Sequence, residues 1–363
     1  LRYRIACIHP YEDYGPSGTK TKDIDITDVI SRIEIIAYFI NGDATQADHP
    51  AANVSKLELV DGSDVLYSLT GKCAQVVDYY DRKKTLSNNC SRSIGHAQQA
   101  IFGINFGRYL WDPLLAFDPK KFKNPQLKIT WNEAIANAAC TVNGFRIDAY
   151  CFDEFVPTPG GFLMDKEIFS YAPAANAYEY IELPTDYPYR RMFLQALVAG
   201  IDIGALLSEF KLSENQDKKI PFETTFSEEW NRHVRNYNLY REWINTHAET
   251  TGQTLNITPV SAFYVAGGQN AGTYGVGTVF NGWPGAGGRI TLWASLNSPE
   301  VMAEVGGYAP HGALDFPFGK EDIIEDWYDV TKLGSLKFRV KAGASALSTH
   351  TFRVLLQQHR KYA

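Results

Sequence analysis

Apolar and polar residues alternate strictly in several parts of this chain, and that pattern restricts the fold more than any other feature. Ile33, Ile35, Ala37 and Phe39 fall on one side of an extended segment with Arg32 and Glu34 on the other, and Leu57 and Leu59 alternate with Lys56 and Glu58. Leu127, Ile129 and Trp131 alternate with Lys128 and Thr130, and Phe145, Ile147, Ala149 and Cys151 with Arg146, Asp148 and Tyr150. Near the end, Leu336, Phe338 and Val340 alternate with Lys337, Arg339 and Lys341. Successive side chains of a strand point to opposite faces, so this period predicts antiparallel strands with one face in a core and the other wet. Turn signals separate the runs: Asn41-Gly42-Asp43, Asp61-Gly62, Asn143-Gly144, Pro159-Gly160-Gly161 and NGWPGAGG from Asn281 to Gly288. Many short strands so punctuated indicate sandwiches or barrels. The 20 Phe, 21 Tyr and seven Trp against three Met agree, since rings suit half-buried sheet surfaces.

Helices are few and serve as connections. Thr70 can cap one whose Cys73, Val76, Val77 and Tyr80 share a face; Ser227, with Glu228 and Glu229 in the first turn, can start another running through Trp230, Val234, Tyr237 and Ile244. The run YRRMFLQALVAG at 189–200 fits strand or helix.

One segment is echoed. DPKKFKNPQLKITW begins at Asp118 and DVTKLGSLKFRV at Asp329. In both, an Asp is followed four positions later by an apolar residue, Phe122 or Leu333, and a turn leads into an alternating strand from Leu127 or Leu336. A further strand follows each, FRIDAYCF in the first half and TFRVLLQQ in the second. The echo and the similar placement of the two helices predict a duplicated unit. With 363 residues the length suits two large domains. The expected division is an N-terminal arm over 1–28, a first unit over 29–157 and a second over 158–363, with Pro157, Pro159, Gly160 and Gly161 in the link.

The formal charge of −6 is spread along the chain, with no basic stripe to neutralise a row of phosphates, so direct nucleic-acid binding is not expected. Short basic runs, Arg82-Lys83-Lys84 and Lys120, Lys121 and Lys123, read as solvated loops. No apolar stretch approaches the ~20 residues that span a bilayer, and the opening LRYRIACIHPYEDYG has no signal-peptide core. Cys7, Cys73, Cys90, Cys140 and Cys151, odd in number and widely spaced, read as buried thiols from a reducing compartment. The sequons at Asn53, Asn89 and Asn256 are expected by chance at this length.

No phosphate-binding loop, nucleophile elbow or zinc-protease motif occurs. The glycine-rich AGGQNAGTYG and YGVGTVFNG have no strand-to-helix context for phosphate. The histidines are scattered, none spaced i, i+4 from another, so no metal site is expected. Asp23, Asp25 and Asp28 fall short of a calcium loop, and Glu325 with Asp326, or Glu228 with Glu229, are read as surface or helix-start acids rather than a glycosidase pair. Catalytic, cofactor-binding and metal-binding residues are therefore all expected to be none.

The stretches FGRYLWDPLLAFDPKKFKNPQLKITWN, FLMDKEIFSYAPAANAYEYIELPTDYPYRRMFL, KLSENQDKKIPF, PHGALDFPFG, DWYDVTKLGSLKFRV and VLLQQHRKY resemble the major capsid proteins of tailless double jelly-roll phages, over most of the chain from about residue 29. The resemblance implies an all-β fold: a double jelly roll of two tandem eight-stranded antiparallel sandwiches with a few connecting helices. It implies a structural, non-enzymatic subunit of a bacteriophage virion, made in the host cytoplasm. Three copies would form a homotrimer, a pseudo-hexameric capsomer that meets neighbouring capsomers, penton and minor capsid proteins, and an underlying membrane where one exists. Interface energetics would rest on aromatic and Arg anchors, with Trp111, Trp243, Trp283, Trp293 and Trp327 as candidates against an ordinary core role. Two other readings stay open on the residues: a jelly-roll glycan-directed amidase or glycosidase, and a lectin-like carbohydrate-binding module.

Overall fold

The computed structural model describes residues 2–42, 47–91, 95–136, 141–246, 253–269, 280–294 and 301–362. Asp43, Cys140 and most of the glycine-rich segments around 270–279 lie outside them.

The alternating runs are strands, and they form two units with one wiring. The first unit contains β1 (Tyr3–Asp13), β2 (Ser17–Asp23), β3 (Ile30–Ile40), β4 (Val54–Asp61), β5 (Asp64–Leu69), the short β6 (Cys90–Ser91), β7 (Ala97–Asn105), β8 (Pro125–Asn132) and β9 (Thr141–Phe152). Its sheets have the orders β1-β9-β3-β7 and β2-β8-β4-β5. The second begins with β10 (Gly161–Tyr171), β11 (Tyr178–Glu182), β12 (Tyr189–Ala196), β13 (Leu207–Glu214) and β14 (Lys219–Thr225). It closes with β21 (Ala313–Pro317), β22 (Leu336–Ala342) and β23 (Phe352–Lys361). Its orders are β10-β23-β12-β21 and β11-β22-β13-β14. Exchanging β1–β5 for β10–β14 and β7–β9 for β21–β23 turns one set of orders into the other. Each unit is thus eight strands in two antiparallel four-stranded sheets, a jelly roll, and the chain is a double jelly roll.

The echoed segments occupy equivalent places. β8 lies between β2 and β4, and β22 between β11 and β13. The Asp118 carboxylate accepts from Lys120 N–H at 3.1 Å and that of Asp329 from Thr331 N–H at 3.1 Å. Phe122 N–H then closes on Pro119 and Leu333 N–H on Val330, at 3.1 and 3.0 Å. The same aspartate-seeded turn feeds the same strand in both units.

Residues 1–28, expected as an arm, instead supply β1 and β2. Each is an edge strand, pairing with β9 and β8 respectively. Their side chains are mostly exposed, which is why the stretch lacks a core pattern although it completes both sheets. The ambiguous run at 189–200 is strand β12 as far as Ala196, with all eight strand residues buried between β21 and β23, and then a turn. Cys7 is exposed on β1, against the expectation of a buried thiol; Cys73, Cys90 and Cys151 are buried.

Each unit places a helix after its fifth strand, α1 (Gly71–Arg82) and later α3 (Phe226–Asn236), with a four-residue α2 (Ile203–Leu206) before β13. Thr70 caps α1, its side chain accepting from Cys73 N–H. The cap of α3 is Thr225, two residues before the expected Ser227: Glu228 reaches back to Thr225 N–H at 2.9 Å, completing a capping box. Ile244, expected on this helix, lies in β15 (Tyr240–Thr246), the first strand of an insertion between α3 and β21. The insertion continues with β16 (Gln253–Asn256), β17 (Pro259–Gln269), β18 (Phe280–Pro284), β19 (Arg289–Ala294) and β20 (Val301–Pro310). It forms two small sheets, β16-β19-β18 and β17-β20-β15-β6, the latter joined in parallel by β6 of the first unit.

The two units are not beads on a string. A parallel contact of Lys166 on β10 with Ser68 on β5 joins β2-β8-β4-β5 to β10-β23-β12-β21 as one eight-stranded sheet. The core of the first unit runs on into Phe162, Phe193, Ala313 and Leu355 of the second. Helix α1 lies between them, buried from Gly71 to Tyr80 apart from Lys72. Gly71 is required there, because a Cβ would come within 2.3 Å of the Ala51 carbonyl oxygen. Tyr79 and Tyr80 donate across to the carbonyls of Asn238 and Ala313 at 2.7 and 2.8 Å. A Tyr80→Phe variant keeps the ring and loses that bond. Equilibrium urea unfolding should show a loss of about 1–2 kcal/mol in a single transition; two separate transitions would contradict a shared core.

Candidate functional site

The side chains that this fold concentrates are charged, and they lie where α1 meets β3 and β12. Arg32, Arg190 and Arg191 are each 2% exposed or less. Arg32 was expected on a wet face, but α1 covers that face. Its guanidinium lies against Gly103, where a Cβ would come within 2.2 Å, and pairs with Asp78 of α1, one bond measuring 3.0 Å. Arg190 donates to Asp81 of α1 at 2.6 Å and to Gln357 at 2.8 Å. Arg191 donates to Asp315 at 2.7 Å and also to Glu321. Arginine stays charged in protein interiors, so each must meet an acid there. Burial pushes the Asp315 carboxyl up to about 6 in spite of Arg191.

A second cluster lies where the first unit meets the insertion. His49 Nε2 meets Glu242 Oε1 at 3.1 Å, with Cys90 Sγ 3.3 Å from the same nitrogen and all three residues buried. Glu242 also accepts from Thr258 N–H and Oγ1–H, each at 2.7 Å. Three such ligand types within 4.8 Å of one another could in principle hold a metal. The hydrogen bonding favours a different role. His49 Nδ1 accepts from Ala51 N–H at 3.1 Å, which puts the neutral ring's proton on Nε2, the atom a metal would need. Burial opposes ionisation of Glu242, but His49 and Thr258 outweigh it and hold the carboxyl below its ordinary value. Burial, and then Glu242, push the Cys90 thiol well up, so it stays protonated. The cluster ties His49 and β6 of the first unit to β15 of the insertion. Its members lie far apart in sequence, and none carries a motif, so sequence reading missed it.

Five of the acids weighed in the sequence are occupied locally, and among the described residues no hydrogen bond or ion pair brings Asp25 or Glu325 to another acid. Asp23 accepts from Gln126 at 2.6 Å and Asp28 pairs with Arg4. Glu228 caps α3, Glu229 pairs with Arg232 at 2.7 Å, and Asp326 accepts from Lys320 N–H at 2.8 Å. An open cleft of about 490 Å³ between the units is lined by Thr70, Lys72, Gln195, His350 and Arg353. Lys72 there is paired with Asp48 at 2.6 Å and Arg353 with Glu167 at 3.2 Å.

Of the tryptophans weighed as interface anchors, Trp327 is buried and donates to Glu321 O at 3.1 Å, and Trp111 stacks on Tyr3 with ring centroids 4.3 Å apart. Trp243 and Trp283, on the insertion, are 57% and 58% exposed, and Phe263 of the same insertion 75%. The side chain of Trp293 lies outside the described set.

Glu242→Ala leaves the His49 Nε2–H and two Thr258 donors buried without their partner. A loss of about 3–5 kcal/mol is expected by denaturant titration. Added zinc should leave the wild-type melting temperature unchanged; stoichiometric zinc that raises it would overturn the hydrogen-bonded reading.

No family model and no curated protein matches this sequence. Solved structures do share its fold along nearly the whole chain. The major capsid protein of STIV, Sulfolobus Turreted Icosahedral Virus, is 12% identical with a TM-score of 0.62 over 99% of this chain and 97% of that one. The major capsid protein P2 of bacteriophage PM2 is 8% identical, with a TM-score of 0.56 over 99% and 98%. VP54 of PBCV-1 is 11% identical, with a TM-score of 0.57 over 98% and 93%. The likeness is one of fold, and it takes in both rolls and the insertion.

Proposed function

We propose that this chain is the structural subunit of an icosahedral viral shell, a major capsid protein located in the virion. The observation that carries this reading is the length of the likeness. Two rolls with identical wiring correspond end to end with capsid proteins from three viruses, with 93–98% of each of those chains covered. Three copies supply six rolls around a threefold axis, and such a pseudo-hexagonal block tiles a closed shell. The boundary between the rolls falls between β9 and β10, close to residue 157.

The protein works by contact and not by catalysis. The arginines of the joint and the cleft are engaged in pairs that hold the fold, and the exposed large apolar residues, among them Trp243, Phe263 and Trp283 of the insertion, are suited to protein–protein contact. Contacts within the trimer are the larger and more apolar, since the trimer has to persist before assembly. Contacts between capsomers are individually weak and gain strength from number. Penton and minor capsid proteins, and a membrane beneath the shell where there is one, complete the set of partners. Synthesis takes place in the host cytoplasm.

Particles dissociated under mild conditions should release a species of three times the 40.6 kDa chain mass, measured by native mass spectrometry. A monomer or dimer as the sole product would contradict the arrangement.

A further inference from the structure

We propose that Asp165 is a proton-binding site in the joint between the two rolls: it carries a proton in the folded chain at neutral pH, and losing that proton as pH rises loosens the joint. The argument begins with a count of buried charge. Asp78, Asp165 and Asp315 are each 2% exposed or less, the side chain of Asp81 is equally buried, and three arginines are buried with them. Asp78 has Arg32, Asp81 has Arg190 and Asp315 has Arg191. Asp165 has none. Neither of its carboxyl oxygens makes a well-formed hydrogen bond among the described residues, the Gln357 amide reaching it only weakly, and the nearby hydroxyl of Tyr67 makes none either.

The surroundings of Asp165, on β10, can be taken element by element. On β23, Gln357 stands opposite it in the ladder, but that amide donates to Asp81 at 3.0 and 3.2 Å. On α1, Asp81 adds negative charge, and Asp78 and Asp81 both act, with Asp165, on the Tyr67 hydroxyl of β5. On β12, Arg190 and Arg191 are the nearby cations, and their terminal nitrogens bond Asp81, Asp315 and Glu321 and not Asp165; the Arg191 Nε–H is left without a partner. Burial, and then Asp81, push the Asp165 carboxyl well above its ordinary range, while Gln357, Arg190 and Arg191 pull the other way. An isolated carboxylate in such a place is far costlier than the neutral acid.

The sign of the pH effect follows. In the unfolded chain an aspartate titrates near ~3.9. Above that pH the folded chain keeps a proton that the unfolded chain has lost. The stability that Asp165 allows is therefore complete below the unfolded value and declines as pH rises through the folded one. The joint is tight in acid and slackens in alkali.

Asp165→Asn is nearly isosteric and neutral at every pH, so it tests this in the full chain. Wild type and variant should melt together at about pH 4, with the variant ahead by at least about 2 °C at pH 8. Asn can pack differently from Asp, so an infrared difference spectrum, wild type minus variant at pH 7, serves as the independent measure. It should show the carbonyl band of a protonated carboxylic acid. A carboxylate band there, or a melting gap of equal size at pH 4 and pH 8, would overturn the proposal. So would a salt-dependent rise in wild-type melting at pH 8 that the variant lacks, because an ionised Asp165 would then be holding a cation.

Discussion

A guanidinium group withdrawn from water has to meet an acid, and three such groups determine how the parts of this molecule sit together. Arg190 leaves β12 of the second roll and finds Asp81 on α1 of the first; Gln357 of β23 reaches the same carboxylate. Arg32 holds the same side of that helix, one turn earlier, to β3 through Asp78. Asp78 and Asp81 stand three residues apart on one side of α1, so the ionic bonds from both rolls converge on that side and the rolls can be placed against it in one way. Pairs of this kind contribute little net stability, because desolvation consumes most of the attraction. Their effect here is on register: sliding β12 by one residue would carry Arg190 away from Asp81 and leave both charges buried and unpaired. The apolar contacts of Tyr79, Tyr80, Phe193 and Leu355 supply the cohesion that the ionic pairs direct.

Much of the architecture is visible in the sequence because jelly-roll strands have one face in a core. The residues that alternate in β3, β4, β8, β9 and β22 are the ones that are buried. The echo at Asp118 and Asp329 is legible because a turn opened by an aspartate depends on local chemistry alone. What depends on distant contacts is not legible. Arg32 has the polar character of a solvent-facing residue, and only the placement of α1 over β3 makes it a buried one. The edge strands β1 and β2 pair through backbone, with few buried side chains to mark them. Tyr189 to Ala196 reads ambiguously since a strand buried on both faces loses its alternation. The two arginines inside that apolar run are a usable signal: charge in such a segment calls for acids brought from elsewhere. No comparable signal marks His49, Cys90 and Glu242, whose meeting depends on the insertion.

The same features bear on the proposed role. A shell subunit needs a rigid body and adhesive edges, and this chain separates the two. Rigidity comes from the continuous eight-stranded sheet and the shared core, which allow two rolls to behave as one block. Adhesion is left to surface residues, among them the exposed rings of the insertion, which carries no part of the duplicated wiring. The central claim is that this block tiles a shell, and electron cryomicroscopy of concentrated native material tests it most directly. The account predicts closed icosahedral particles whose capsomers show six density lobes around a threefold axis, into which three copies of the double roll fit. Dispersed single chains, or particles whose capsomers cannot hold six rolls, would contradict it.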